Sequence, residues 1–145
     1  MNIGFTGTQK GMSDHQKKCL HDLLSTLYAS SYNHFLHGCC IGADVEAHEI
    51  ALSLGYDIHI CPPTNQEKVA VNLLPEPPNN VYMSNGNLVW SMSPAPYLLR
   101  NRYIATYCDH LIACPYQQHE IIRSGTWATV RYARGYGKPV HIIYP

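Results

Sequence analysis

The chain has 145 residues and a mass of 16.3 kDa, which fits one domain of ordinary size. Because 46% of the residues are hydrophobic and 14% are charged, the chain can bury a core, which excludes a disordered protein. Ten Lys and Arg residues balance ten Asp and Glu residues, so the formal net charge is zero. A neutral chain lacks the broad positive surface of a non-specific nucleic-acid binder, but it is compatible with a local basic site for one small anion.

The sequence carries no pattern of a membrane or secreted protein. No stretch approaches 18 consecutive apolar residues, and the first residues lack the basic stretch of a signal peptide, so we expect a cytoplasmic protein without a membrane span. No Cys-x-x-Cys or His-x-x-x-His pair is present, so we expect neither a metal site nor a cofactor. The six cysteines are expected to be reduced and mostly buried, and they are Cys19, Cys39, Cys40, Cys61, Cys108 and Cys114.

Short apolar strands alternate with helices through the first part of the chain. Apolar runs predict three strands, at residues 1–6, 34–37 and 57–61. Helical spacing of leucines predicts a helix over residues 13–29, with Ser13 as the N-cap of a capping box. A second apolar stripe predicts a helix that begins after Gly42 and is terminated by Gly55.

The same alternation returns in the last third of the chain. Ser93 and Pro94 predict the N-cap and first residue of a third helix. Two strands and a further helix follow, at residues 110–114, 140–144 and 125–134. Strands that are apolar on both faces predict an α/β fold, a Rossmann-like, doubly wound, mostly parallel five-stranded sheet with helices on both faces. Such folds bind ligands at the carboxyl ends of their strands.

The segment between residues 62 and 93 does not follow this alternation. Seven of the ten prolines lie between Pro62 and Pro96, and Asn85-Gly86 stands between two apolar runs, which is a hairpin signal. We expect an inserted arm that is either a hairpin or a loop excursion. Its Tyr82 and Trp90 are expected to pack on the body, on a second subunit or over a ligand.

Three glycine-containing turns follow the first, second and fourth predicted strands of the main alternation. Glycine lets the backbone approach a ligand, and a helix N-terminus offers unpaired N–H groups, so such turns suit phosphate. One such turn by itself is more typical of a simple strand end, whereas three at one sheet edge favour a phosphate site. None of them matches a P-loop or a dinucleotide fingerprint. The candidate ligand-binding residues are Thr6, Gly7, Thr8 and Gln9, then Gly38, Gly42 and Asp44, and finally Ser124, Gly125 and Thr126.

Two arginines on the third predicted helix are further candidates. Arg100 and Arg102 are either ligands for phosphate, to which guanidinium binds in bidentate fashion, or solvent-facing residues. If Arg100 contacts phosphate, the Arg100→Ala variant should lose ligand affinity without unfolding. Asp44 either complements the dipole of the second helix or meets a ribose hydroxyl or a base edge. For His48 the packed, hydrogen-bonded role is favoured over that of a base.

Four segments, in order along the chain, resemble the SLOG superfamily. They are GFTGTQ at 4–9, HGCCIGAD with the following AH at 37–48, RNRYIA at 100–105, and SGTWAT at 124–129 with GKPV at 137–140. This superfamily includes the DprA core, YpsA-like proteins and the lonely-guy phosphoribohydrolases. The resemblance implies one nucleotide-binding domain over residues 1–145, with 62–93 inserted, and a homo-oligomer such as a dimer or tetramer.

The resemblance also bears on catalysis. The lonely-guy motif has its catalytic glutamate where this chain has Thr129, and a threonine cannot act as the acid or base. The resemblance therefore implies a protein that binds a nucleotide-derived small molecule, an ADP-ribose-like or cyclic nucleotide signal, and senses or sequesters it without turnover. By analogy with sensor domains of bacterial defence systems, sequestration would suit an anti-defence protein.

Two alternatives remain open for the function. The first is a nucleotide N-glycosidase of the phosphoribohydrolase type, in which Asp44, Glu46 or Glu120 replaces the missing glutamate. The second is DprA-like nucleic-acid binding, which the neutral charge disfavours.

Overall fold

The computed structural model describes residues 1–29, 31–77 and 79–145. Its strands and α-helices are β1 Asn2–Gly7, α1 Asp14–Leu27, β2 His34–His37, α2 Ala43–Ser53, β3 Asp57–Ile60, β4 Val81–Ser84, β5 Asn87–Ser91, α3 Tyr97–Tyr107, β6 His110–Cys114, α4 Gly125–Gly135 and β7 Val140–Ile142. Two 3-10 turns, Gln66–Lys68 and Val71–Leu73, lie between β3 and β4. Among the helices described, none has the length and apolarity needed to cross a membrane.

The strands form one sheet in the order β4-β5-β3-β2-β1-β6-β7, and every pair is parallel except β4 with β5. Helices α1 and α2 pack on one face, and α3 and α4 pack on the other. The predicted α/β, doubly wound architecture is therefore confirmed. The strand order reverses at β1, so the ligand crevice of this fold class should open at the carboxyl end of β1.

The core lies in two layers, one on each side of the sheet. Phe5, Phe35 and Ile58 pack beneath α1 and α2, whereas Ile104 and Leu111 belong to the layer under α3 and α4. Because both faces are covered around β1 and β6, the middle of β6, Leu111 to Ala113, is apolar and buried on both sides of the sheet. This buried sheet gives the loops at its edge a rigid base.

The predicted hairpin is present, but it is not a projecting arm. Asn85 and Gly86 form its turn with positive φ angles of 49° and 79°, as a two-residue hairpin turn requires. Strand β5 pairs in parallel with β3, so the predicted count of five strands is wrong, and the sheet has seven strands in the described residues. Tyr82 donates its hydroxyl to the Leu73 carbonyl (2.8 Å), and the Trp90 ring lies 4.8 Å from that of His59. Both aromatic residues therefore pack on the body of the protein.

Several element boundaries differ from the predictions by a few residues. The capping box at Ser13 is present, but α1 ends at Leu27 and β7 ends at Ile142. Helix α3 begins at Tyr97 instead of Pro94, because Ala95 exchanges hydrogen bonds with residues 62 and 64 and stays extended. All six cysteines are free thiols, and all but Cys19 are buried.

Candidate functional site

A cavity of about 370 Å³ opens at the carboxyl end of β1, between the β2–α2 loop and the N-terminus of α4. Its position is the one expected for a ligand site in a doubly wound fold. Ten of the twelve candidate ligand-binding residues line it, namely Thr6, Gly7, Thr8, Gln9, Gly38, Asp44, Arg100, Ser124, Gly125 and Thr126. The three predicted turns therefore do meet at one edge of the sheet.

Two candidate residues do not line this cavity. Arg102 is exposed, and its guanidinium lies over the ring of Tyr132, 5.1 Å from the centroid. It points away from Arg100 because residues two apart on a helix do not share a face. Gly42 has a φ of 90° and lies against the β1–α1 loop, where a Cβ would overlap the backbone of Gln9. Its place is structural, since it joins that loop to the start of α2.

The N-terminus of α4 forms one end of the cavity. Ser124 is the N-cap, and its hydroxyl accepts the Trp127 amide at 3.4 Å. The amides of Gly125 and Thr126 stand in the first helical turn, where no intrahelical acceptor exists, and they have no hydrogen-bond partner in the described residues. No atom lies within 4 Å of where a Cβ of Gly125 would be. The cavity is therefore lined by two residues with free N–H groups at the positive end of the helix dipole.

Arg100 forms the opposite end and is 6% exposed. Its Nη1 donates to the Gly38 carbonyl oxygen at 2.6 Å and lies 3.5 Å from the Sγ of Cys40. Position 38 must be glycine for this contact, because a Cβ there would overlap the guanidinium. The Nε of Arg100 is buried and has no hydrogen-bond partner among the described atoms, so the guanidinium keeps at least this one donor unused.

Asp44 lies beside Arg100 and is the one acidic side chain among the described residues that line the cavity. Its Oδ2 accepts the Cys40 amide at 3.0 Å. Burial raises the pKa of the Asp44 carboxyl to about 6, although Arg100 and the Cys40 amide favour the charged form. The carboxyl therefore changes its charge near pH 6.

The other acids considered from the sequence lie outside the cavity. Glu46 pairs with Lys17 at 2.8 Å, and Glu120 pairs with Arg131 at 2.8 Å. Thr129 is buried inside α4, where its hydroxyl donates to the Gly125 carbonyl at 2.9 Å. Asp44 is consequently the candidate that an acid–base mechanism would have to use.

The β2–α2 loop does not offer the free amides that its glycines suggested. Four of its backbone N–H groups donate to other protein atoms, and they belong to Cys39, Cys40, Ile41 and Ala43. His48 has the packed role that the sequence favoured, with its Nδ1 lying 3.0 Å from the Nε2 of His37. Of the three turns, the one before α4 therefore fits the phosphate-binding pattern best.

The cavity is positively charged although the chain is neutral. Four cationic side chains line it against one carboxyl, and they are Lys10, Lys68, Arg100 and Arg123. Lys10 lies over the Tyr116 ring, 4.1 Å from its centroid, and Lys68 lies 5.7 Å from that of Tyr97. The zero net charge of the chain therefore coexists with a local excess of positive charge at this cavity.

Tyr97 and Tyr116 line the cavity, whereas Tyr82 and Trp90, the aromatic residues considered from the sequence, do not. The Tyr97 hydroxyl accepts from Nε2 of Gln9 at 3.2 Å, and burial raises the pKa of Tyr97 to about 12, so its phenol is neutral. Tyr116 belongs to the loop after β6. Neither ring was among the site residues predicted from the sequence, although Tyr97 stands three residues before Arg100 and Tyr116 two residues after the predicted strand at 110–114.

Solved structures of three proteins share this fold. The X-ray structure of DNA processing protein A (DprA) from Streptococcus pneumoniae is 23% identical with a TM-score of 0.64, covering 97% of this chain and 49% of that one. A molybdenum cofactor binding protein from Rippkaea orientalis is 20% identical with a TM-score of 0.65, covering 99% and 76%. A structural genomics target is 14% identical with a TM-score of 0.60, covering 96% and 71%. The chain thus spans about half the length of the DprA chain.

The family comparison covers the whole sequence. No curated protein matches the chain. The family model described as DNA recombination-mediator protein A matches residues 1–145, in agreement with the SLOG motifs and with the DprA-like fold. The chain therefore belongs to the DNA recombination-mediator protein A family, within the SLOG superfamily that contains the DprA core.

Proposed function

We propose that this protein binds a nucleotide-derived small molecule and senses or sequesters it without turnover. The observation that carries the proposal is the concentration of four cations and two free helix amides around one cavity of a neutral chain. The cavity volume of about 370 Å³ is near the lower end of the roughly 300–1,000 Å³ of small-molecule sites, which suits one nucleotide unit. A structural neighbour named as a cofactor-binding protein supports a small ligand.

The cavity also supports recognition of the non-phosphate part of such a ligand. Asp44 and Gln9 can form hydrogen bonds with ribose hydroxyls or base edges, because both have polar side chains and line the cavity. The Tyr97 and Tyr116 rings offer aromatic surfaces for a base. We therefore keep an ADP-ribose-like or cyclic nucleotide signal as the proposed ligand class.

An N-glycosidase is the alternative within the same site. A carboxyl with a pKa of about 6 is suited to acid–base work, which favours Asp44 as the group for this reaction. Two observations support binding without turnover. Asp44 already accepts the Cys40 amide, and Thr129 is a threonine whose hydroxyl is bonded to the Gly125 carbonyl within α4. Incubation with AMP, cyclic AMP and ADP-ribose, followed by heat denaturation, separates the two. Intact ligand in the supernatant supports sequestration, and free base or ribose phosphate supports the enzyme.

Family membership favours nucleic-acid binding as a second candidate. The matching family is described as a recombination mediator, and one neighbour is named for DNA processing. The zero net charge argues for a mononucleotide ligand instead of a polyanion. Retention on single-stranded DNA that falls steeply with salt would support this candidate over the small ligand.

A dimer or tetramer is also proposed, on the strength of the superfamily resemblance. Sedimentation velocity at several protein concentrations measures it directly. A single species at the mass of one chain, 16.3 kDa, would contradict the oligomer.

The Gly125→Pro variant tests the role of the α4 amides. Proline removes the Gly125 N–H but fits the first helical position, and Ser124 before it is already extended (φ −94°, ψ 131°). Losing one hydrogen bond to a charged phosphate costs about 1.5–3 kcal/mol, so the Kd for a nucleotide should rise about tenfold or more. Isothermal titration calorimetry measures the change.

Gly125→Ala is the matched control. It keeps the amide, and its added methyl group meets no atom within 4 Å. We expect nucleotide affinity close to that of the wild type and an equal or slightly higher melting temperature. Equal affinities of the Pro and Ala variants would remove the Gly125 amide from the site.

A further inference from the structure

The inserted segment, residues 62–93, contributes to the wall of the cavity although it lies outside the motifs of the superfamily. The Lys68 carbonyl accepts the Ile41 amide at 3.0 Å, and the Ala70 amide donates to the Cys39 carbonyl at 2.9 Å. Val69 and Ala70 are buried between these contacts. The backbone of Lys68 is therefore fixed to the β2–α2 loop, and its side chain lines the cavity.

Two cationic side chains lie near the ring of Tyr97 at this end of the cavity. The Nζ of Lys68 lies 5.7 Å and the Cζ of Arg100 lies 4.7 Å from the centroid of Tyr97. In the described part of the chain Lys68 forms no ion pair, and the Nε of Arg100 has no hydrogen-bond partner. Asp44 supplies one negative charge at most, so this end keeps an excess positive charge.

This charge is separate from the phosphate site at α4. The α4 end follows β6, whereas Lys68 is attached to the loop that follows β2, and β1 lies between these strands. The two strands from which these ends extend are two strand spacings apart, about 10 Å. A ligand that places one phosphate at the Gly125 and Thr126 amides therefore leaves the end of the cavity beside the β2–α2 loop to its other groups.

We infer that Lys68, Tyr97 and Arg100 form a second anion subsite, so that the preferred ligand carries two separated anionic groups. Among nucleotide-derived molecules, a nucleoside with phosphates at both its 5′ and 3′ positions has this charge distribution, whereas a cyclic monophosphate, with one phosphate, does not. The inference rests on the proposed function and deepens it, because it assigns ligand choice to the inserted segment.

Calorimetric titration of the full chain tests the subsite with two probes, adenosine 5′-monophosphate and adenosine 3′,5′-bisphosphate, together with their guanosine counterparts. The wild type should bind the bisphosphate about tenfold more tightly, the effect of one added charge-assisted contact. Lys68→Met should remove this preference while the monophosphate affinity stays within about twofold, and Lys68→Arg should retain the preference. Arg123→Gln, at the α4 end, should weaken both probes alike.

Lys18→Met is the matched control, because it removes the same charge from an exposed position on α1 where Lys18 pairs with Asp22. It should keep the preference for the bisphosphate. If no probe binds the wild type, the proposed function and the subsite fail together. If the probes bind but Lys68→Met leaves the ratio of their affinities unchanged, the subsite alone is wrong.

Discussion

Replacing Arg100 by alanine should lower the free energy of unfolding by about 3–5 kcal/mol at pH 8, the usual cost of removing one member of a buried charged set. The Gly38 carbonyl would lose its donor, and Asp44 would keep a buried charge without a cation beside it. The simpler expectation from the sequence, lost affinity without lost stability, does not suit a side chain that is 6% exposed. Urea denaturation measures the stability, and titration calorimetry should show that nucleotide binding is lost as well.

The stability lost in the Arg100→Ala variant should increase as the pH rises. In the wild type the folded-state pKa of Asp44 is about 6, above its ordinary value of 3.8, so the folded state binds the proton more tightly. Its contribution to stability therefore falls as the pH rises from about 4 to about 6 and then stays constant. Arg100 lowers this pKa, so in the Arg100→Ala variant the fall must continue above pH 6. The deficit of the variant should be larger at pH 8 than at pH 5.

The double variant Arg100→Ala with Asp44→Asn isolates the carboxyl. Asparagine still accepts the Cys40 amide but carries no charge, so the additional loss between pH 5 and pH 8 should disappear. His37, whose pKa Arg100 also lowers, is held neutral mainly by burial and remains in both variants. A deficit of equal size at pH 5 and pH 8 in the single variant would contradict the assignment of the charge to Asp44.

The fold could be predicted from the sequence because its signals are local. Continuous apolar runs such as residues 110–114 have one stable solution, a strand covered on both faces, and alternation with helices then selects a parallel sheet. The hairpin turn was also local, since Asn85-Gly86 prefers positive φ at both positions. That the two hairpin strands join the sheet was missed, because the pairing of β5 with β3 joins residues about 30 apart and no local pattern specifies such a partner.

The parts of the candidate site that are formed by backbone turns could be predicted from the sequence, whereas the positions of its cationic side chains were predicted less well. The turn at Ser124 and Gly125 was found because a glycine after a serine N-cap opens a helix at the expected edge. Arg102 was included because it neighbours Arg100 in sequence, whereas helical geometry separates the two side chains. Lys68 carried no signal, because its position depends on tertiary hydrogen bonds to Ile41 in a distant segment.

Gly42→Ala should be among the most destabilising single changes in the chain. Gly42 has φ 90° and ψ −126°, and a Cβ there would overlap the carbonyl and Cα of Gln9. This backbone conformation lies outside the left-handed helical region and costs a residue with a Cβ about 1–3 kcal/mol, and displacing packed backbone adds about 1–3 kcal/mol. The amide of Ala43 donates to the Thr8 carbonyl at 2.9 Å, so the displacement should reach the cavity and weaken nucleotide binding too.

Gly86→Ala separates these two costs, because Gly86 has φ 79° but no atom within 4 Å of the place that a Cβ would take. It should lose about 1–2 kcal/mol, the conformational cost alone, and should leave nucleotide affinity unchanged since it lies at the hairpin tip. Urea denaturation of both variants measures how much the less favourable backbone conformation of Gly42 and its contact with Gln9 add to the cost of an ordinary positive φ. Equal losses for the two variants would mean that the β1–α1 loop yields freely, and the cavity would then lack the rigid wall on which phosphate binding at α4 depends.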